Sequence, residues 1–372
     1  MQSSLSRLDQ FNYDLQTYNT VPLILNYTQP IRAYNALKWR KKTAPLQYEN
    51  AQRAYLETMQ DITINVTNLF FTVLSAQENY RQSVADYEDR KHLFEIAKKR
   101  LDLGTTTKSE VLQMELSLLN AKMSVNSTSL TLRTQLFSLF SYLRIVDYGD
   151  IELLPPYYMP DIEMNAEQVL DKAWTGSSHS IEQQLNLLES QRALAEAKAN
   201  RGLQVEFRGR VGLSQSANDF PAAYRRLKDY ETVGLTMTIP IYDWGMGRGK
   251  VRMAKTDVEI TKTQIEQANI EFAHDVRTKV MQFNNQAEQC KTSLRAQDIA
   301  AERYDIMKKR FENGSVTVTE LNTAQEEFES AQHQYISQLQ QFWTDYYGIQ
   351  KLTLYDFIRK ENIGVNFNDL VN

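Results

Sequence analysis

Two hydropathy periods divide the chain. From Leu203 to Leu213 the apolar Leu203, Val205, Phe207, Val211 and Leu213 alternate with Gln204, Glu206, Arg208 and Arg210. Period two over about ten residues predicts a strand with one apolar and one polar face. That length also suits a strand crossing a bilayer in a barrel. Leu235, Met237, Ile239 and Ile241 alternate with Thr236, Thr238 and Tyr242 in the same way, and Val21–Ile31 repeats the pattern. One such strand alone reads more simply as the edge of a soluble sheet, so the neighbouring elements have to decide.

The rest is helical. Ile62, Val66, Leu69, Val73, Ala76 and Tyr80 step by four and three. The pattern predicts helices over about residues 32–103 and 245–313, each on the order of 100 Å long, against about 11–12 residues for an ordinary globular helix. The helices that return keep a seven-residue beat: Val111, Leu118, Val125, Leu132, Leu139 in one, and Leu321, Phe328, Tyr335, Phe342, Ile349 in the other. Sustained heptads predict helices that supercoil against neighbours.

Those two stripes lie 210 residues apart, and so do other landmarks. Lys98-Lys99-Arg100-Leu101-Asp102-Leu103-Gly104 aligns with Lys308-Lys309-Arg310-Phe311-Glu312-Asn313-Gly314, and Leu25, Pro30 and Ile31 align with Leu235, Pro240 and Ile241. One ungapped offset joining landmarks so far apart indicates an internal duplication. Each copy reads as extended segment, long helix, tight turn, second helix. Gly104 and Gly314 suit the position after a helix end, where φ is positive. Thr107-Lys108-Ser109-Glu110 and Thr317-Val318-Thr319-Glu320 are capping boxes that start the next helices.

A further helix, about residues 165–201, precedes the Leu203–Leu213 strand, with a capping box at Ser180-Ile181-Glu182-Gln183 that breaks or restarts it. The 210-residue register puts its counterpart, and most of a first strand, before residue 1. The expectation is an N-terminally truncated chain with about three strands of a complete four, any signal peptide lost with the missing part. The domain reading is a first repeat over 1–145, a linker over 146–164 containing Leu154–Pro160, a second repeat over 165–358 and a peripheral tail over 359–372. The polar stretch 214–230 is read as the loop joining the two strands of copy two.

Composition agrees. Only 13 Gly and 8 Pro occur in 372 residues, about half of average usage. A chain so poor in turn residues has few turns and long elements, which counts against an α/β enzyme. With 42 basic and 46 acidic residues the net charge is −4, so nucleic acid is not an expected partner. Cys290 is alone, which excludes an intrachain disulfide. No apolar run is long enough for a transmembrane helix.

Little in the sequence points to catalysis. His92, His179, His274 and His333 have no ligand spacing. Gly245-Met246-Gly247-Arg248-Gly249-Lys250 follows a strand and opens a helix as phosphate loops do. It is one residue short, though, and Val251 stands where a Ser or Thr would hold magnesium. It reads as a bend. Arg40, Lys41, Lys42 and Arg248, Lys250, Arg252 flank the two bends as a solvated collar, with contact to lipid head groups as the sharper reading. No enzyme activity, cofactor or metal is expected.

Four strands cannot close a barrel, but several chains together can, and a bilayer tolerates only helices or closed barrels. Here the sequence resembles the TolC-like outer-membrane efflux proteins. The residues that carry the likeness are Lys99–Gly104 with Glu110-Val111-Leu112, their copy from Lys309 to Leu321, the strand-to-helix stretch Val233–Gly245, and Thr28-Gln29-Pro30-Ile31. The resemblance covers almost the whole chain. It implies a mainly α fold with a small transmembrane β part: long antiparallel coiled-coil hairpins forming an α-barrel, continued by a trimeric twelve-stranded β-barrel. It implies a passive conduit in the outer membrane, with a helical part in the periplasm. The partners it implies are a periplasmic adaptor, an inner-membrane pump and outer-membrane lipid. It places the adaptor-docking tips at Arg100, Leu101, Gly104, Thr105, Arg310, Phe311, Gly314 and Ser315. Glu320 resembles an acidic constriction position, with Glu110 as its copy. Thr323 stands where some members have a second acid, and Val316 where some have a basic locking residue. Glu320 reads equally as the third residue of a capping box. The competing reading, from a different class, is a soluble coiled-coil scaffold, which leaves the amphipathic strands unexplained.

Overall fold

The computed structural model describes residues 2–10, 15–147, 149, 151–156, 159–313 and 315–367. Its elements run β1 (Gln2–Gln10), β2 (Leu15–Arg32), α1 (Ala36–Asp102), α2 (Lys108–Tyr142), α3 (Ala166–Gly176), α4 (His179–Arg201), β3 (Gln204–Ala217), β4 (Lys228–Thr238), α5 (Met246–Glu312), α6 (Val318–Thr353), β5 (Tyr355–Asp356) and β6 (Glu361–Asn362). The two long helices have 67 residues each. Both ends of α5 lie 210 residues after those of α1 (36 to 246, 102 to 312), and α6 starts 210 after α2 (108 to 318). The sequence repeat is thus a repeat of elements. Tyr157 and Tyr158 of the linker, Gly314 at the second tip and residues 368–372 of the tail lie outside the described residues.

The chain forms two compact units, one of residues 1–50 and 181–269, the other of 51–180 and 270–372. The first contains an antiparallel sheet in the order β1-β2-β3-β4. Four strands stand where the sequence suggested about three. The reason is that β1, Gln-Ser-Ser-Leu-Ser-Arg-Leu-Asp-Gln, has almost no hydropathy alternation and is held by backbone pairing to β2. The stretch read as a loop over 214–230 is a loop only in its middle, because β3 runs on to Ala217 and β4 starts at Lys228. The β3–β4 ladder continues through Gly212↔Tyr230 to Ser214↔Lys228, because backbone pairing does not require an apolar face. At the other end β4 stops at Thr238, just before Pro240, and the β2–β3 register slips between Pro30 and Arg32, since proline has no N–H for the ladder.

In the second unit the helices pack through the predicted stripes. Val111, Leu139, Leu321, Phe342 and Ile349 are buried. One cluster joins Val169, Leu170 and Ala173 of α3 to Val276, Val280 and Phe283 of α5 and to Phe342, Tyr346 and Ile349 of α6. A second gathers Phe71, Leu74, Cys290, Ile336 and Leu339. Burial there pushes the Cys290 thiol up to about 11, so it is an inert packing residue. The linker is pinned by side-chain amides. Gln77 donates to and accepts from the Leu153 backbone at 2.9 and 2.8 Å, and Asn284 does the same for Met164 at 2.9 and 3.0 Å.

The third helix is broken at Ser177–Ser178 rather than by the Ser180 box. Because α4 starts at His179, Ser180 lies inside its first turn. The break is held from outside: Arg53 donates to the Ser177 carbonyl at 2.7 Å, and Glu57 accepts from the Ser178 N–H and hydroxyl at 2.8 and 3.0 Å. The tail, expected to be peripheral, folds back. The Ile363 N–H donates to Leu354 O at 2.8 Å, β6 pairs with β5, and Phe367 meets Tyr55 edge-on at 5.7 Å.

Candidate functional site

The tip between α1 and α2 is built by backbone bonds. Gly104 takes φ +71°, and its N–H donates to Leu101 O while the Thr105 N–H donates to Arg100 O, both at 2.9 Å. These two bonds satisfy carbonyls that the helix end leaves free. At the second tip the Ser315 N–H donates to Arg310 O at 2.9 Å, the same bond 210 residues on. Leu101 packs with Phe94 and Val111, Phe311 is buried, and Arg310 and Ser315 are exposed.

Both capping boxes close. Glu110 N–H donates to Thr107 Oγ1 at 3.3 Å and its carboxylate accepts from Thr107 N–H at 3.2 Å; for Thr317 and Glu320 the distances are 3.2 and 2.7 Å. Both glutamates are solvent-exposed. The Thr106 hydroxyl and Thr107 N–H, with Arg100 nearby, hold the Glu110 carboxyl below the usual range. The Thr317 N–H and hydroxyl, with Arg310, do the same for Glu320. Thr323 is turned to its own helix, donating to Thr319 O at 3.0 Å. Each tip therefore presents an ionised, preorganised carboxylate at a helix start.

Behind the tips lies a polar network that sequence reading missed. Lys308 is ion-paired with Asp89 at 2.7 Å, which links α5 to α1. Gln325 of α6 donates to Asp86 at 2.7 Å, and Arg90 binds Asp86 at 2.9 Å. The available signal was Asp86, Asp89 and Arg90 standing three and four apart on one helix.

The sheet separates its side chains by parity. Leu23↔Leu213, Leu25↔Val211 and Tyr27↔Gly209 continue into Val211↔Glu231, Gly209↔Val233 and Phe207↔Leu235. This face is apolar over its middle, with Gln29 and Arg32 on it at one end and Glu231 and Asp229 toward the β3–β4 turn. Its Leu25, Val233 and Leu235 are more than half exposed. The opposite face carries Asn26↔Arg210↔Thr232 and Thr28↔Arg208↔Gly234.

The glycine-rich bend is already satisfied. Asp243 accepts from Gly245 N–H at 3.0 Å and Gly247 N–H at 2.7 Å. Its carboxylate therefore occupies the donors a phosphate would need, and those bonds hold its carboxyl below the usual range. His179 stacks on Phe272 at 4.2 Å. Among the described residues no group of three His, Cys, Asp or Glu is placed to hold a metal.

A search of curated protein sequences returned no match. Solved structures with the same fold include the Campylobacter jejuni CmeC outer membrane channel, at 13% identity and TM-score 0.73, covering 100% of this chain and 79% of that one. The Neisseria gonorrhoeae MtrE outer membrane channel in its open state matches at 12% identity and TM-score 0.71, with 95% and 79% covered. The outer membrane protein VceC of Vibrio cholerae matches at 13% identity and TM-score 0.67, with 95% and 84% covered. The outer membrane efflux protein family matches residues 1–143 and 177–353. With paired helical hairpins, an amphipathic sheet and a family match over most of its length, the chain belongs to the outer membrane efflux proteins.

Proposed function

We propose that this protein is the outer-membrane channel of a tripartite export system, a passive conduit for solutes delivered by an inner-membrane pump through a periplasmic adaptor. The observation that carries this reading is the open four-stranded sheet with one exposed apolar face. Among the described residues β1 and β4 are its unpaired edges, and unpaired edges in lipid are costly. Three copies joined edge to edge give a closed barrel of twelve strands, with the apolar face toward lipid. Exposed Tyr242 and Trp244, in ring contact at 4.7 Å just beyond β4, suit the head-group level.

A second surface also calls for neighbouring copies. Beside its buried stripe, α2 exposes Leu112, Leu116, Leu119, Met123, Leu130 and Phe137 at heptad spacing. In water such a stripe seeks a partner helix. In this reading the chain is a homotrimer of two structural repeats, 1–145 and 165–358, with the helices in the periplasm. Arg100, Leu101, Gly104, Thr105, Arg310, Phe311, Gly314 and Ser315 dock the adaptor. Glu320 and Glu110, with Thr323 one turn on, form the constriction. Three copies of Glu320 would make a ring that favours cations.

Planar-bilayer recording of the purified protein tests this. Discrete conductance steps from a species that crosslinks as a trimer are expected. A monomer in the aqueous fraction with no conductance would instead mean a soluble scaffold.

A further inference from the structure

The polar face of the sheet is strongly and unevenly charged. β3 places Arg208 and Arg210 on it, with Phe207 and Val211 of the same strand on the apolar face. Their ladder neighbours Thr28, Gly234, Asn26 and Thr232 are all uncharged. Glu206 lies 3.0 Å from Arg208; among the described residues Arg210 has no carboxylate partner. Both arginines are exposed. With Asn26, Thr28 and Tyr230 they line an open trough of about 490 Å³. The nearby acids Asp229 and Glu231 do not offset them, because they lie opposite Leu213 and Val211 and so belong to the other face. Lys228, opposite Ser214, adds a cation to the arginine face.

We propose that Arg208 and Arg210 turn the inner wall of the barrel into an anion-attracting collar, which favours passage of carboxylate-, phosphate- or sulfonate-bearing solutes over cationic ones. The inference rests on the channel reading, since only closure puts this face around water. The two guanidiniums stand level with Phe207, Val211, Val233 and Leu235, the band that meets lipid. Charge at that depth is destabilising toward lipid and tunes selectivity toward the lumen. Arg208, Arg210 and Lys228 against Glu206 in each chain give nine cations against three carboxylates in a trimer. Inside a narrow lumen with low-dielectric walls that excess concentrates anions. Glu110 and Glu320 set a field of the opposite sign at the helical tips, so the sheet's share is read from variants rather than from the wild-type preference alone.

The test is the reversal potential of the full chain in planar bilayers under a KCl gradient. Coulomb's law with screening at about 0.1 M salt gives a change of roughly two- to fourfold in the K⁺/Cl⁻ permeability ratio for loss of one cation per chain. Arg210→Gln is expected to raise the ratio by that amount, Glu206→Gln to lower it, and Arg210→Lys to leave it unchanged. Conducting channels whose ratio is the same in wild type and Glu206→Gln overturn the proposal, even if Arg210→Gln fails to insert. A shift of both Gln variants in one direction overturns it too. A wild-type trimer that does not conduct overturns the channel reading itself, which separates the two failures.

Discussion

Lys308 Nζ lies 2.7 Å from Asp89 Oδ1 and 2.8 Å from Oδ2, and the Tyr304 hydroxyl donates to the same carboxylate at 3.3 Å. The equivalent lysine of the first copy does something else: Lys98 sits over the Phe94 ring at 4.2 Å. The counterpart of Asp89 is Ile299, which is exposed. A motif duplicated in sequence thus bridges helices in one copy only.

Asp89→Asn and Lys308→Met should each lower stability by about 0.5–1 kcal/mol, because the pair is only partly buried. The double variant should lose no more than the worse single one. Hydrogen exchange across α1 and α5 reads this; strictly additive losses would show that the two residues do not interact.

The tips should respond to cap removal and to acid. Thr107→Ala and Thr317→Ala are each expected to cost about 1 kcal/mol of local stability, seen as faster exchange in the first turns of α2 and α6. Both Glu110 and Glu320 are held below the ordinary glutamate value. Their contribution is therefore complete above about pH 4.3 and lost as pH falls through the depressed values. Corrected exchange rates should stay flat from about pH 7 to 5 and rise below about 4. Glu110→Gln with Glu320→Gln should remove that dependence.

Gly176 ends α3 against Thr353, the last residue of α6. A Cβ there would stand 2.0 Å from the Thr353 carbonyl oxygen, so backbone has to shift. Gly176→Ala should destabilise the protein by about 1–3 kcal/mol or more, whereas Gly249→Ala, where a Cβ meets nothing within 4 Å, should not. Thermal denaturation compares them; equal melting temperatures would refute the close packing of α3 on α6.

The two faces of β4 should tolerate charge differently. Leu235→Arg, on the apolar face, is expected to cost about 2–4 kcal/mol of membrane-inserted stability. Thr236→Arg, one residue on and across the sheet, should cost little. Yield of folded protein in detergent or lipid distinguishes them. A larger effect at Thr236 would mean that the faces are assigned the wrong way round.

Much of this fold was legible locally. Gly104 with Thr107 and Glu110, repeated at Thr317 and Glu320, marks helix stops and starts through groups that bond within a few residues of themselves. The 210-residue register then carried one copy's helix boundaries to the other. What escaped were features decided at long range. The gap between α3 and α4 is held by Arg53 and Glu57, more than 120 residues away. β1 is too polar to show a period and exists through its ladder with β2.

The two return helices divide what sequence and tertiary structure each decide. On α6 the stripe from Leu321 to Ile349 was fully determined by sequence, because the positions matching the exposed row of α2 are Asn322, Glu326, Glu329, His333, Gln340 and Tyr347, mostly polar. On α2 both rows are apolar, Val111 to Leu139 and Leu112 to Phe137. Hydropathy shows that each wants to leave water but not which partner receives it. Only the packing of α2 within its own chain turned the first row inward, burying Val111 and Leu139 and half-burying the three between them, and left the second exposed.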